Sequence, residues 1–352
     1  MALKLSRTLS LEQLFHVEDA TIDGVQLAFS HPQSWLPAFV DSLRHGALLS
    51  HGAVLAFALY FCLLFSLWAY VRSNITGSTS QVDMMWSLLP PLYVCWFALV
   101  TVATVGLRAR PLAMAALALA WSVRMTYNFA RKGGYSGVED YRWPYLRQKI
   151  SNPLLWQLFN IGFVSLYQNM LLLCLALPAW AAYLRPSSPW NTVDTVATIA
   201  FLFFLLIETL ADEQQWRFQC RKHALTQAQR LQHPDPDIRR GFLTRGLFRF
   251  SRHPNFFAEQ CMWWVFYLFA VGALLGEEAT AGWWQFGSVR STPWLHWSIV
   301  GAFQLTLLFQ GSTWLTEKLS LEKYGNAYRL YQQRTSRLVP LWASSTLKEH
   351  GE

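Results

Sequence analysis

The sequence predicts an all-α integral membrane protein with about seven transmembrane helices, and three observations carry that expectation. Hydrophobic residues make up 53% of the 352 residues and charged residues only 14%, where a soluble domain carries about 25% charge. Seven long apolar runs follow one another, each close to the roughly 20 residues that cross a bilayer core. Lys and Arg gather in alternate loops, as in a chain with one cytosolic face. The 16% aromatic content, with 18 Trp, suits helix ends that meet lipid headgroups. The charge deficit argues against a soluble enzyme, a nucleic-acid binder or a disordered chain. The net charge of +8 is therefore read as cationic membrane loops, not as a DNA-binding surface.

Residues 1–46 read as a polar extension. They are too charged, and too far ahead of the first apolar run, for a signal peptide. An interfacial helix is expected around Trp35-Leu36. Residues 47–352 read as a single membrane domain with spans at Ala47–Val71, Met84–Leu107, Leu112–Phe129, Leu154–Tyr183, Val193–Leu210, Phe256–Leu275 and Trp294–Leu315. Pro90-Pro91 should kink the second span. The fourth is long enough to tilt or to run past the membrane. Pro186–Pro189 and Glu277–Thr292 read as turns. Cys62, Cys95, Cys174, Cys220 and Cys261 are scattered without a CxxC pair. Neither a disulfide framework nor a metal site is expected.

With seven spans, the loops at 73–83, 130–153 and 211–255 share a side with the C-terminus. That side holds 21 Lys and Arg and the other holds 7. The bias places the C-terminus in the cytosol and the N-terminus in the lumen or outside.

A polar residue inside a span is costly and points to function. Asp83 opens the second span. Arg124, Tyr127, Asn128 and Arg131 close the third at spacings that put them on one helical face. Glu208 and Asp212 end the fifth, followed by Glu213, Gln214 and Gln215. An ion pair of Asp83 with Arg124 or Arg131 is the structural alternative. All three groups lie at expected cytosolic helix ends and could line one cavity open to the cytosol.

The run Gly246 to Glu259 is the most informative. Pro254 suits the first position of a helix. Arg252 and His253 then stand at a helix N-terminus, which attracts phosphate or carboxylate. Asn255 and Glu259 share the face of the starting helix, an amide and a carboxylate suited to an amide or an adenine edge. After the seventh span, Glu317, Tyr324, Tyr328 and Tyr331 fall on one helical face, with an amphipathic interfacial helix as the alternative.

Together these residues resemble the C-terminal region of the steroid 5α-reductase family, in particular its multispan fungal and bacterial branch. The resemblance covers roughly Asp83 to Trp342. Arg252-His253-Pro254-Asn255-Phe256-Phe257-Ala258-Glu259 is its most specific part. Asp212 with Gln214-Gln215, and Gly311-Ser312-Thr313 with Glu317 and Lys323-Tyr324, extend it. The resemblance implies a seven-helix fold in the endoplasmic reticulum or a bacterial inner membrane. It implies NADPH held by the cytosolic loops 211–255 and 316–342, and reduction of an enone carbon–carbon double bond in a sterol, terpenoid or other lipid. By position it assigns Asp212, Asn255 and Glu259 to the cofactor, with Arg245, Arg252, His253, Glu317 and Tyr324 as neighbours. The catalytic half departs from the family pattern: the carboxylate near the second span is Asp83, and Trp121 stands one turn before Arg124. Asp83 and Tyr127 are then the expected proton donors, with Arg124 orienting. No Gly-x-Gly-x-x-Gly run occurs, so a Rossmann site is not expected. Membrane methyltransferases that use S-adenosylmethionine share an Arg-His-Pro segment and a later Glu with Tyr residues. That activity, or a non-catalytic lipid-binding role, is the alternative.

Overall fold

The computed structural model describes residues 19–30, 51–280 and 293–340. No strand occurs among them. The long helices are α1 (Asp19–Ser30), α2 (His51–Thr76), the short α3 (Gln81–Trp86), α4 (Leu89–Val105) and α5 (Ala109–Arg131). Next come α6 (Arg142–Lys149), α7 (Pro153–Phe159), a π-helical stretch at Asn160–Tyr167 and α8 (Gln168–Tyr183). The remainder are α9 (Thr192–His223), α10 (Gln227–Leu231), α11 (Pro236–Arg240), α12 (Pro254–Thr280), α13 (Val300–Tyr324) and α14 (Asn326–Arg334).

Among the described residues, five stretches are long and apolar enough to cross a membrane: His51–Thr76, Gln81–Val105, Pro153–Tyr183, Thr192–His223 and Pro254–Gly276. The expected third and seventh spans fall on the helices α5 and α13, which are not among these five. Both are more polar than these five: α5 carries Arg110, Arg124 and Arg131, and α13 ends in Glu317-Lys318 and Glu322-Lys323.

Details of the spans differ from expectation for local reasons. The break in the second span falls at Ser87-Leu88, between α3 and α4, and Pro90 and Pro91 sit in the first turn of α4. A missing N–H costs nothing there. The fourth span is one continuous helical run interrupted by the π turn, with Pro178 inside α8. The fifth does not end at Leu210. It runs 32 residues to His223, about 48 Å at 1.5 Å per residue, so its polar end outruns a hydrocarbon core of about 30 Å.

The chain divides into two compact units. The first comprises Met1–Thr198 and Trp264–Phe303. Within it α1 packs on α2, α4 packs on α8 and on α5, and the π stretch packs on α2. The polar extension therefore contains a docked helix, while Trp35-Leu36 lies outside the described residues. Trp180 pins this core: its indole N–H donates to Thr21 Oγ1 of α1 at 2.9 Å, and its ring lies 5.4 Å from Phe97 of α4. Small residues make the packing possible. Ala53, Ala56 and Ala58 on α2 and Ala176, Ala179, Ala181 and Ala182 on α8 are buried, which lets helices approach where lipid removes the usual hydrophobic driving force. A Cβ on Gly301 would collide with the Cys174 carbonyl, so the start of α13 meets the α8 backbone directly.

The second unit comprises Ile199–Trp263 and Gln304–Glu352. It holds the later part of α9, α10, α11, the first turns of α12, most of α13, and α14. The apolar run of α9 faces outward. Ile199, Leu202, Phe203 and Leu206 are exposed while Phe201 is fully buried, and only 22% of its most apolar stretch is covered by protein. Such a surface requires an apolar surrounding.

Candidate functional site

The polar groups of the second unit are drawn together around the start of α12. Ser251 and Ser336 form an isolated parallel bridge, and Arg252 N–H donates to the Ser336 carbonyl at 2.9 Å. This fixes the segment entering α12 against the tail after α14. Pro254 is the first helical residue, as the sequence predicts. Arg252 does not reach outward, however. Its Nε and Nη2 donate to the two Glu317 oxygens at 2.5 and 2.9 Å, and its Nη1 donates to the carbonyls of Gln332 and Thr335. His253 Nε2 lies 3.2 Å from Glu317 Oε1, and Gln332 Nε2 donates to Oε2 at 3.3 Å. Burial would raise the Glu317 carboxyl, but hydrogen bonds from His253 and Arg252 and the Arg252 charge outweigh it and hold the pKa at about 2. The carboxylate is thus an anion held by the Arg252 guanidinium, with the His253 ring and the Gln332 amide beside it.

Two further acids border the opening turn of α12. Asn255 Nδ2 donates to Asp212 Oδ1 of α9 at 3.2 Å, with Asp212 buried and Asn255 half-buried. Glu259 is buried and accepts the Trp263 indole N–H at 2.9 Å. The one-face reading of Asn255 and Glu259 therefore holds for position, and each also has a protein partner. One turn before Glu317, the buried Thr313 hydroxyl has no hydrogen-bond partner among the described residues, and neither does the Thr335 hydroxyl. Buried hydroxyls cost free energy unless satisfied, so these two atoms are available to a ligand or water.

The loop leading to the site is self-contained. Asp235 caps α11, and Asp237, almost fully buried, accepts from Thr244 Oγ1 at 2.6 Å, Arg245 Nε at 3.0 Å and Arg240 Nη1 at 3.2 Å. Arg245 also pairs with Asp235, so its charge is matched inside the loop. The hub at Asp237 was missed in the sequence, although Asp-Pro-Asp at 235–237 is a legible helix-start signal. Gln214 accepts from Leu247 N–H at 2.9 Å, and Gly246 at φ +64° leaves no room for a Cβ beside that amide. Gln214 therefore clasps the turn that delivers Arg252.

Tyr324, Tyr328 and Tyr331 do not lie on one helix. Gly325 at φ +57° separates α13 from α14. The tyrosines still meet, because all three rings pack around Phe242 at 5.1–5.6 Å, and Tyr331 Oη donates to the Phe248 carbonyl at 2.5 Å. Burial drives the Tyr331 phenol well above its ordinary pKa. Tyr324 thus belongs to an aromatic cluster that supports the loop.

The residues expected to deliver a proton lie in the first unit. Asp83, on α3, accepts the Trp143 indole N–H at 2.8 Å. The cation within its electrostatic reach is Arg142, itself bound to Asp140; the alternative ion pair with Arg124 or Arg131 does not form. Asn128 is buried and accepts from Arg131 Nε at 3.0 Å, while Tyr127 is 64% exposed with the Arg131 guanidinium 5.3 Å from its ring centre. On α5, Arg131 therefore joins the buried Asn128 to the exposed Tyr127. Arg131, not Arg124, is the cation beside Tyr127. Trp121 is fully buried.

These features define a multi-helix integral membrane protein with a buried, hydrogen-bonded acid–base cluster beyond its apolar helices. Residues 69–335 match a family described as protein of unknown function, DUF1295, and the chain belongs to that family. It is 38% identical over 271 residues to an uncharacterized protein, C594.04c, of Schizosaccharomyces pombe, covering 75% of this chain and 73% of the relative. No solved structure matches it.

Proposed function

We propose that the protein is a seven-span reductase that uses NADPH to saturate a carbon–carbon double bond in a sterol, terpenoid or other enone lipid. The reading places it in the endoplasmic reticulum, or the inner membrane of a bacterium, with a lumenal N-terminus and a cytosolic C-terminus. One observation carries it: the resembling residues, dispersed from 212 to 317 in the sequence, come together around the first turn of α12. The donor set suits a nucleotide. Asp212 and Glu259 are acceptors for hydroxyl or amino groups, Asn255 is an amide for a carboxamide or base edge, and the Thr313 hydroxyl is unmatched. Arg252, His253 and Glu317 hold the frame of this site, and Arg245 and Tyr324 hold its loop.

When bound, NADPH supplies a hydride to the carbon β to the carbonyl. The resulting enolate needs a proton. A protonated Asp83, held in place by Trp143, is the proposed donor, and Tyr127 and Arg124 are assigned to hydrogen-bond the oxygen. One such donor is typically worth about 3–4 kcal/mol.

The test is thermal unfolding of the purified protein in mild detergent. NADPH at a hundredfold excess over its Kd should stabilise it by about 2.7 kcal/mol, with NADH doing less. Asn255→Ala should abolish that shift and leave unliganded unfolding nearly unchanged. Stabilisation by S-adenosylmethionine and not by NADPH would replace the reductase with a methyltransferase. Orientation has its own check. A reporter fused after Glu352 should be cytosolic, and Asn74, within the sequon Asn74-Ile75-Thr76, should carry no glycan.

A further inference from the structure

The end of α9, in the second unit, gathers positive charge that the reductase reading does not use. Lys222, one residue from the C-terminus of that helix, is only 5% exposed. Its Nζ donates to the Gly241 carbonyl at 3.1 Å and lies 5.5 Å from the centre of the Phe218 ring. An ammonium has three N–H donors, so two of them are unspent among the described residues. A buried charge is costly unless an opposite charge stands beside it. Here the charged groups that act on Lys222 are Lys323 and Arg230, both cations, and the same three residues act on the neighbouring His223.

Local geometry holds these cations together. Gly241 at φ +89° ends α11, and a Cβ there would stand 2.9 Å from the Tyr324 ring. The carbonyl that holds Lys222 is therefore close to the end of α13, where Lys323 Nζ lies 5.3 Å from the centre of the same ring. Arg230 of α10 turns back to donate its Nε to the Leu225 carbonyl at 3.0 Å. The acids of these elements are committed elsewhere: Glu213 to Arg217, Asp237 to Arg240 and Arg245, and Asp235 to Arg245. Glu322 is exposed and is not among the groups that act on Lys222. The negative end of the α9 dipole favours a base in its last turn, but does not require that base to be buried among other cations. The position of the cluster selects its ligand. The apolar run of α9 ends at Leu210, and Lys222 is twelve residues further on, about 18 Å. Even at a steep helix tilt of about 40° that is about 14 Å, whereas the headgroup layer is about 5–8 Å thick. The cluster thus stands in water beyond the lipid phosphates. Three cations around one point match a doubly charged anion better than a singly charged one.

We infer that Lys222, Lys323 and Arg230, with His223 at their side, bind the doubly charged phosphate group of a water-soluble ligand. The site does not depend on the reductase reading, and its test reads binding alone. Calorimetric titration of the full-length protein in mild detergent, at an ionic strength fixed with sodium chloride, compares inorganic phosphate with acetate. Phosphate should bind, and acetate should bind about tenfold more weakly or not at all. Lys222→Met should weaken phosphate by about tenfold or more. Should that variant fail to fold, Lys323→Gln with Arg230→Gln, both nearer the surface, should weaken phosphate by a similar factor and leave the unfolding temperature unchanged. No binding of phosphate, equal binding of acetate, or unchanged phosphate affinity in these variants would overturn the site. So would phosphate binding that appears only in Glu349→Gln with Glu352→Gln, which would assign the cations to the chain's own acidic end. Native mass spectrometry with phosphatidic acid separates the remaining source: retention of that lipid in the wild type and its loss in Lys323→Gln with Arg230→Gln would put the cluster among headgroups and overturn a soluble ligand.

Discussion

Among the described residues, a buried bidentate pair between an arginine and a carboxylate stands in each unit, and these two pairs are built to different ends. In the first unit, Arg110 Nε and Nη2 meet Asp194 at 2.7 and 2.8 Å, and the guanidinium's remaining bonds go to the Ser188 and Pro189 carbonyls. Asp194 is completed by the Asn191 N–H at 2.9 Å. Every partner is a fixed group and nothing titratable joins, so the pair staples two loops and does no more. In the second unit, Arg252 and Glu317 share their carboxylate with His253, and an unmatched Thr313 hydroxyl lies one turn away. A closed pair gives geometry. An open pair, with a titratable ring and a spare hydroxyl beside it, can also serve a ligand.

The largest expected effect tests that difference directly. Asp194→Asn leaves Arg110 buried without its counter-charge, which costs about 3–5 kcal/mol. The surviving folded protein should nevertheless bind NADPH with unchanged affinity. Glu317→Gln should destabilise by a similar amount and also lose the NADPH shift. Chemical unfolding and nucleotide titration on the same samples decide it; the opposite split would reverse the roles given to the two pairs.

A smaller effect follows from pH. The folded Glu317 carboxyl lies at about 2, below its ordinary value of 4.5. The folded state therefore binds its proton less tightly than the unfolded chain. The stabilisation is complete above pH 4.5 and is lost as pH falls through about 2. It amounts to on the order of 3 kcal/mol. Wild-type stability minus that of Glu317→Gln, followed from pH 6 to pH 2, should shrink through this window. A flat difference would mean that Glu317 is no better bound than an exposed acid.

The smallest stability change is expected for Asp83→Asn. The amide oxygen can still accept the Trp143 N–H, so unfolding should shift by no more than about 1 kcal/mol, with NADPH affinity retained. Turnover of an enone lipid should fall by a large factor, because an amide delivers no proton. A stable and fully active Asp83→Asn protein would move the proton to Tyr127 or Glu208.

The helical class was legible in the sequence, because membrane-length apolar runs and sparse charge constrain the backbone before any packing is known. So was the entry to α12, where Pro254 sets a helix start through its own covalent geometry. Asn255 and Glu259 share a face for the same local reason, the pitch of a helix. What lay beyond the sequence was pairing between distant residues. Nothing at Arg110 announces Asp194, 84 residues on. Arg252 and His253 read as phosphate ligands until Glu317, brought in from α13, takes them both. Tyr127 and Asn128 belong to one sequence pattern, yet Tyr127 is exposed and Asn128 buried, because a helical period fixes which residues are neighbours and only the adjoining helices decide which of them are covered. Local periodicity thus determined the elements and their faces, while the tertiary structure decided which charges are spent on holding the protein together and which groups remain for a ligand.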